Sequence, residues 1–379
     1  MVQERDQKTK FRVVVIGAGI VGASVAYHLS RRGVGVCVLE RQQPCSGASG
    51  HSFAWLNAFG KEPITYHNFN RRSMELWPRF ANQLGFDLGL HWGGEMRWTS
   101  TLEDAQALKK RVHQLQSWGY PSRLIEESEL RKLEPGLKPG LVTAASYGEI
   151  DGQVEPQKVI AACLQRAQEL GASLHTDTTV TGFVRRTADE SVHRVQTSQG
   201  EFACDAVVLA TGTDTTNLAK VAGLHIPQQE SPGVVVRIEP HPRVLQTVSV
   251  LHTPAIDDSR LEIHLRQGTD GSLMIGEGTQ ESVSKDDSFQ HANNLLARAT
   301  HYLPALAGAH LLPIPVGYRP MPLDEMPVIG FAKTIPNLYL TLMHSGVTLA
   351  PLVGQLVTME IVDGACINIL KAYRPERFE

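Results

Sequence analysis

Residues 12 to 40 read R-V-V-V-I-G-A-G-I-V-G-A-S-V-A-Y-H-L-S-R-R-G-V-G-V-C-V-L-E. An apolar run, three closely spaced glycines, an amphipathic stretch, Gly33, a second apolar run and an acidic residue follow one another without interruption. This order predicts a strand, a tight turn, a helix and a second strand, and each part suits a bound dinucleotide. Gly17 permits the turn, Gly19 lets backbone approach a pyrophosphate, and Gly22 lets the helix lie close to the sheet. Ile20 and Val21 open the helix, where unpaired N–H groups and the helix dipole favour phosphate. Glu40 stands 18 residues beyond Gly22 (40 − 22), near the spacing of roughly 20 for a ribose-binding acid. Arg41 follows as a further cofactor contact. The motif does not choose between NAD and FAD.

A chain of 379 residues exceeds the usual size of one core, so two domains are expected. The formal net charge of −3 provides no basic field for nucleic acid or anionic lipid. No run of 18 apolar residues is evident, so no transmembrane segment is expected. The polar start, M-V-Q-E-R-D-Q-K-T-K, does not resemble a cleaved signal peptide, and a cytoplasmic location is expected. The five cysteines Cys37, Cys45, Cys163, Cys204 and Cys366 lack metal-site spacings and read as reduced structural thiols, with no metal site.

Beyond the first unit, a small-residue loop P-C-S-G-A-S-G-H-S precedes a helical pattern from Tyr66 to Leu84. Leu90–Ser100 alternates and suits strands turning at Gly93-Gly94. Thr101 opens a capping sequence for a helix to Trp118. A helix from Pro156 to Leu170 is followed by a strand, L-H-T-D-T-T-V-T-G-F-V-R-R, a strand pair through Val195 and Phe202, and the apolar run A-V-V-L-A-T-G, which suits a buried parallel strand. Residues 233–277 read as successive antiparallel strands, with a hairpin at Thr269-Asp270-Gly271. Helices are expected over 286–302 and 350–363. The fold class is therefore α/β (α+β overall): a discontinuous Rossmann-like domain over 11–88, 151–220 and 318–379, and an antiparallel-sheet substrate domain over 89–150 and 221–317.

Three features favour FAD. There is one complete G-x-G-x-x-G unit; the nearest second candidate, I-G-E-G-T-Q at 275–280, sits among antiparallel strands. V-V-L-A-T-G returns to the same domain, and H-S-G-V-T-L-A-P offers another helix N-terminus, whose dipole stabilises negative charge on a reduced flavin. With S-G-A-S-G-H-S (46–52), D-G-Q-V-E-P (151–156) and G-Y-R-P-M-P-L-D-E-M-P-V-I-G (317–330), the chain resembles the D-amino-acid oxidase, glycine oxidase and sarcosine oxidase superfamily of FAD-dependent oxidoreductases over nearly its whole length.

The resemblance implies oxidation of a small amino acid or secondary amine bearing a carboxylate, by hydride transfer from Cα to flavin N5 and hydrolysis of the imine. It implies that Ser46, Ser49, His51, Ser52, Val180, Thr211, Gly212, Arg319, Gly346, Val347 and Thr348 complete a noncovalent FAD site. Arg319, in the G-x-R-P motif, is expected to hold the substrate carboxylate; the alternative is an ion pair with Asp324 or Glu325. A guanidinium fork matches a carboxylate with two charge-assisted bonds. His51 aligns with a histidine that some relatives link covalently to flavin, and His344 with the flavin-side strand end. Arg97, Tyr318 and Arg266 are further substrate-side candidates. Met274 stands where the sarcosine oxidase branch has its oxygen-activating lysine, which points away from rapid reaction with O2 and towards a dehydrogenase; the expected electron acceptor is O2 or a quinone or other carrier. Two alternatives remain open: a 2-hydroxy-acid dehydrogenase, and a flavin subunit of a larger electron-transfer complex. A homo-oligomer is compatible with all three.

Overall fold

In the computed structural model, which describes residues 11–278, 284–313 and 315–378, Arg12–Ile16 is an inner strand of a six-stranded sheet. Gly35–Leu39 and Ala206–Leu209 flank it, both parallel. Ser173–His175 and Leu338–Leu342 extend the parallel set outward, and Val328–Phe331 closes one edge antiparallel. The valines explain the position. Val13 and Val15 face one core while Val14 and Ile16 face another, so both faces of the strand need apolar side chains, as covered parallel sheets do.

On the first face, helix Ile20–Arg31 packs against Pro156–Glu169 and Gly346–Asp363, and Ile64–Leu84 packs on Gly346–Asp363. On the second lies a three-stranded antiparallel sheet, Val180–Arg185, Val192–Thr197 and Gly200–Ala203. By length and composition Gly346–Asp363 could cross a membrane, but it is mostly buried among the neighbouring helices. It also starts a turn earlier than expected. Pro351 suggests a start near residue 350, but Ser345, at φ 60, turns the chain and the helix begins at Gly346.

The second large sheet runs Val235–Ile238, Leu273–Glu277, Ile263–Gln267, Val250–His252, Glu95–Thr99, Ala144–Gly148 and Ser122–Ile125. The hairpin expected at 269–271 is present. Antiparallel order fails at one seam, because Val250–His252 pairs parallel with Glu95–Thr99. The sheet is therefore mixed. Its outer core packs against helix Phe289–Tyr302. Leu102–Ser117 begins at Thr101 as expected, with Thr101 Oγ1 accepting from Asp104 N–H at 3.1 Å. The strand expected from 174 to 186 is divided between two sheets: Asp177, at φ 52, breaks it, and Glu40 N–H and carbonyl pair with His175 and Thr178 there. The N-terminal decapeptide and residues 279–280 of I-G-E-G-T-Q lie outside the described residues.

Between the two large sheets, Phe53, Trp55, Phe59, Met74, Tyr120, Val250 and Met274 form a small apolar cluster. Trp55–Leu56 pairs with Gly152–Gln153, tying the segment after the small-residue loop to the approach of helix Pro156–Glu169. This cluster backs the cavity described next.

Candidate active site

A cavity of about 490 Å³ opens where the central strands end, the place where α/β sheets bind ligands. One end is built by the first sequence unit. Gly17, at φ 102, turns the chain off its strand, and a β-carbon there would lie 2.4 Å from the Ala210 carbonyl oxygen. A β-carbon on Gly22 would lie 2.0 Å from the Gly17 carbonyl oxygen, so Gly22 sets helix-to-strand packing and does not itself line the cavity. Gly19, Ile20 and Val21 do line it. Ser49 Oγ accepts from Ile20 N–H at 3.0 Å, which fastens the small-residue loop to the helix start.

Glu40 is buried and lines the same end. Its two oxygens accept from Ala18 N–H at 2.8 Å and Gln42 N–H at 2.9 Å. A carboxylate oxygen has further lone pairs, so this fixed group keeps the capacity to accept from a ligand hydroxyl. Arg41 forms an ion pair with Asp214, and both residues line the cavity. We expect Glu40→Gln to weaken FAD binding roughly 10- to 100-fold, because an amide nitrogen cannot accept and loses a charge-assisted bond. FAD titration of the apoprotein measures this; unchanged affinity would remove Glu40 from the site.

Ser46, His51, Ser52, Val180, Thr211 and Gly212 continue the wall. Thr211 Oγ1 lies 3.0 Å from Thr215 Oγ1. At the other end come His344, Gly346, Val347, Thr348, Tyr318 and Arg319. Thr348 Oγ1 donates to the Trp55 carbonyl at 3.3 Å, joining the C-terminal helix to the segment after the loop. Burial, with the nearby Lys61 and Arg319 charges, holds His344 well below the usual imidazole range. Burial likewise lowers His51, helped by Arg237. Both rings are therefore neutral at neutral pH.

Arg319 lies over Gly233, and its Nη1 donates to the Pro232 carbonyl at 2.5 Å. The acids considered as its partners have others: Asp324 pairs with Arg377 at 2.7 Å, and Glu325 accepts from Gln229 at 3.2 Å. Arg97 and Arg266 are not among the lining residues. Arg97 pairs with Glu95 at 2.6 Å, and Arg266, 1% exposed, pairs with Glu155 at 2.7 Å. Met274 lies behind the wall, its Sδ 3.2 Å from Arg266 Nη2.

Several lining residues escaped the sequence reading: Lys61, Trp55, Asn57, Asp214, His264 and Met343. Lys61 sits in a loop, where lysine ordinarily reads as a solvated charge, yet it is only 5% exposed. A strand alternation signal was available for His264, in I-H-L-R-Q, but the face of the sheet that meets the cavity was not readable. Cys45 also lines the cavity, and burial pushes its thiol up to about 11. The five cysteines are free thiols.

One continuous wall thus carries a glycine turn, a helix N-terminus and the buried acid Glu40 at one end, and a second helix N-terminus with the cations Lys61 and Arg319 at the other. That donor set fits a flavin dinucleotide. Residues 12–359 match the family described as FAD dependent oxidoreductase, and the chain belongs to that family; FAD is its cofactor. It is similar to glycine oxidase from Geobacillus kaustophilus, 28% identical over 92% of each chain. Among solved structures, L-proline dehydrogenase from P. horikoshii superimposes with a TM-score of 0.84 at 26% identity, covering 97% of this chain and 98% of that one. Glycine oxidase from Bacillus cereus superimposes equally well, with a TM-score of 0.84 at 26% identity over 96% of this chain and 98% of that one.

Proposed function

We propose that this protein oxidises a small amino acid or secondary amine carrying a carboxylate, and that Arg319 holds that carboxylate. The observation that carries the reading is the presence of Arg319 on the same cavity as the glycine turn and Glu40. Glycine oxidase and L-proline dehydrogenase among the similar proteins support the substrate class. Gly17, Gly19 and Glu40 would hold the adenosine and pyrophosphate end of FAD, with the helix starts at Ile20 and Gly346 supplying N–H donors. Bound FAD supplies a two-electron acceptor that takes a hydride from the substrate Cα.

The chain's own contribution is placement and charge. Arg319 fixes the carboxylate in orientation as well as in affinity, which sets the Cα–H direction. Lys61 and Arg319 supply positive charge on the low-dielectric side of the cavity, where negative charge develops as electrons arrive. The neutral His344 and His51 add no competing charge there. Trp55, Phe53 and Met343 add apolar surface to the same cavity. The product imine is hydrolysed by water to an oxo acid and ammonia from a primary amine, or to an oxo acid and an amine from an open-chain secondary amine; a cyclic amine keeps both groups in one molecule. Turnover with an artificial electron acceptor is expected to yield those two products in equal amounts. Oxo acid without ammonia or amine would overturn the reading in favour of a hydroxy-acid substrate.

We further propose noncovalent FAD. Acid precipitation of the holoprotein is expected to leave the yellow colour in the supernatant; colour carried down with the pellet would establish a covalent link, with His51 on the cavity wall as its first candidate.

A further inference from the structure

His264 belongs to strand Ile263–Gln267, is 4% exposed, and lines the cavity with Arg319 and Lys61. Its ring is held from three directions. Phe53 meets it edge-on at 4.5 Å between ring centres and 82°. His252 stacks on it at 5.5 Å and 30°. Gly276 lies beneath it so closely that a β-carbon there would be 2.1 Å from His264 Nε2. The position across the strand pair is therefore open only to glycine while this ring stays in place.

The protonation of the ring follows from its partner. His264 Nδ1 lies 3.0 Å from the Gly278 carbonyl oxygen. A carbonyl accepts only, so Nδ1 carries the proton, and the neutral ring keeps its lone pair on Nε2. Burial lowers this imidazole to about 4, so the neutral form prevails at neutral pH. A fixed acceptor thus shares the cavity with the cations Arg319 and Lys61.

Behind the ring, the wall is acidic. His252 Nε2 is 3.8 Å from Glu95 Oε1, and Glu95 is fully buried, with Arg97 donating to it at 2.6 Å. Buried Asp151 accepts from Trp55 Nε1 at 2.8 Å and from the Tyr120 hydroxyl. Glu95 Oε2 and His252 Nε2 are both buried with no hydrogen-bond partner. The cavity therefore presents the cations Lys61 and Arg319 together with the Nε2 lone pair of His264, and burial raises the two acids behind the ring, Glu95 and Asp151, above the usual carboxylate range.

We propose that His264 Nε2 accepts an N–H of the substrate's amino group, so that Arg319 and His264 together grip the carboxylate and the amine of one small molecule. This rests on the functional reading above and adds the second half of its substrate recognition. A ligand held at both ends has its Cα orientation fixed by two points, where Arg319 alone leaves rotation about the carboxylate axis.

The test compares two ligand types on purified holoprotein, following the flavin spectrum. One is an amine-bearing acid such as glycine, sarcosine or proline, read as anaerobic bleaching. The other is a ring carboxylate without the amine, tetrahydrofuran-2-carboxylate, read as a spectral shift. His264→Leu is expected to weaken the amine ligand roughly 10- to 100-fold and to change the amine-free carboxylate less than about threefold. His264→Asn, which returns an acceptor oxygen, is expected to recover part of the loss. FAD content equal to wild type confirms that both variants fold. Equal losses for both ligand types, or no loss for either, overturn the role of His264. If no carboxylate-bearing amine bleaches the wild-type protein, the functional reading itself fails, an outcome visible before any variant is made.

Discussion

Replacing Arg319 with leucine is expected to lower kcat/KM for the amine substrate by about 10²- to 10⁴-fold while leaving bound FAD in place. The size follows from the bond type. A hydrogen bond to a charged group contributes about 1.5–3 kcal/mol net, and a forked guanidinium makes two; each 1.4 kcal/mol is tenfold. Lysine at this position recovers only part of the loss, because a point charge cannot reproduce the planar fork. Asp324 already pairs with Arg377, and Glu325 accepts from Gln229, so no ion pair between Arg319 and these acids is on hand to account for such a loss. Anaerobic stopped-flow bleaching separates the two steps. The account requires the loss to appear chiefly in substrate binding, and a variant with wild-type kinetics would contradict it.

The second large effect lies at the other end of the cavity. Gly22→Val is expected to destabilise the protein by roughly 2–4 kcal/mol and to give a purified chain with little or no yellow chromophore. A β-carbon at Gly22 meets backbone, the Gly17 carbonyl at 2.0 Å, and the Ala210 β-carbon at 3.2 Å. Neither can rotate away. The helix must shift off the sheet, carrying the N–H groups of its first turn away from the phosphate position. Gly33→Ala supplies the contrast. Gly33 has φ 74 but nothing within 4 Å of an added β-carbon, so only the left-handed backbone cost of about 1–2 kcal/mol applies, and FAD stays bound. Thermal melts and absorbance of the purified variants test both statements. A Gly22→Val protein as yellow and as stable as wild type would contradict the packing argument.

The parts of this molecule that sequence reveals are those where local physics decides. Val13, Val14 and Val15 announce a strand covered on both faces because a short β-branched run before a glycine turn suits a strand and needs apolar cover on each side. Thr101 marks a helix start because its hydroxyl satisfies a donor that the helix leaves open. The turn and helix at Gly17–Val21 and the acid at Glu40 belong to the same local unit, so the end of the cavity proposed for adenosine is legible from residues 12–40. Arg319 becomes legible through family resemblance, since a lone arginine before a proline could as well pair with nearby acids.

What stays hidden depends on partners distant in sequence. Val250–His252 runs parallel to Glu95–Thr99, and no local pattern distinguishes that seam from an antiparallel one. The stretch L-H-T-D-T-T-V-T-G-F-V reads as one strand because its threonines suit strands, whereas Asp177 and the pairing to Glu40 divide it. Lys61 and His264 reach the cavity only once the loop folds inward and the sheets are stacked. Arg266 shows the converse: it lies on an alternating strand near the cavity, yet Glu155 and Gln153 take up its guanidinium, the latter at 3.1 Å. Alternation gives the face a side chain takes; it does not say whether that face meets a ligand or an ion partner.

The central claim is that this flavin cavity accepts electrons from a carboxylate-bearing amine. Anaerobic addition of matched amino acids, N-methyl amino acids and 2-hydroxy acids to the yellow holoprotein tests it most directly. The account predicts bleaching of the flavin band by one or more of the amines and none by the hydroxy acids. Bleaching by hydroxy acids alone, or by no member of either panel, would contradict it.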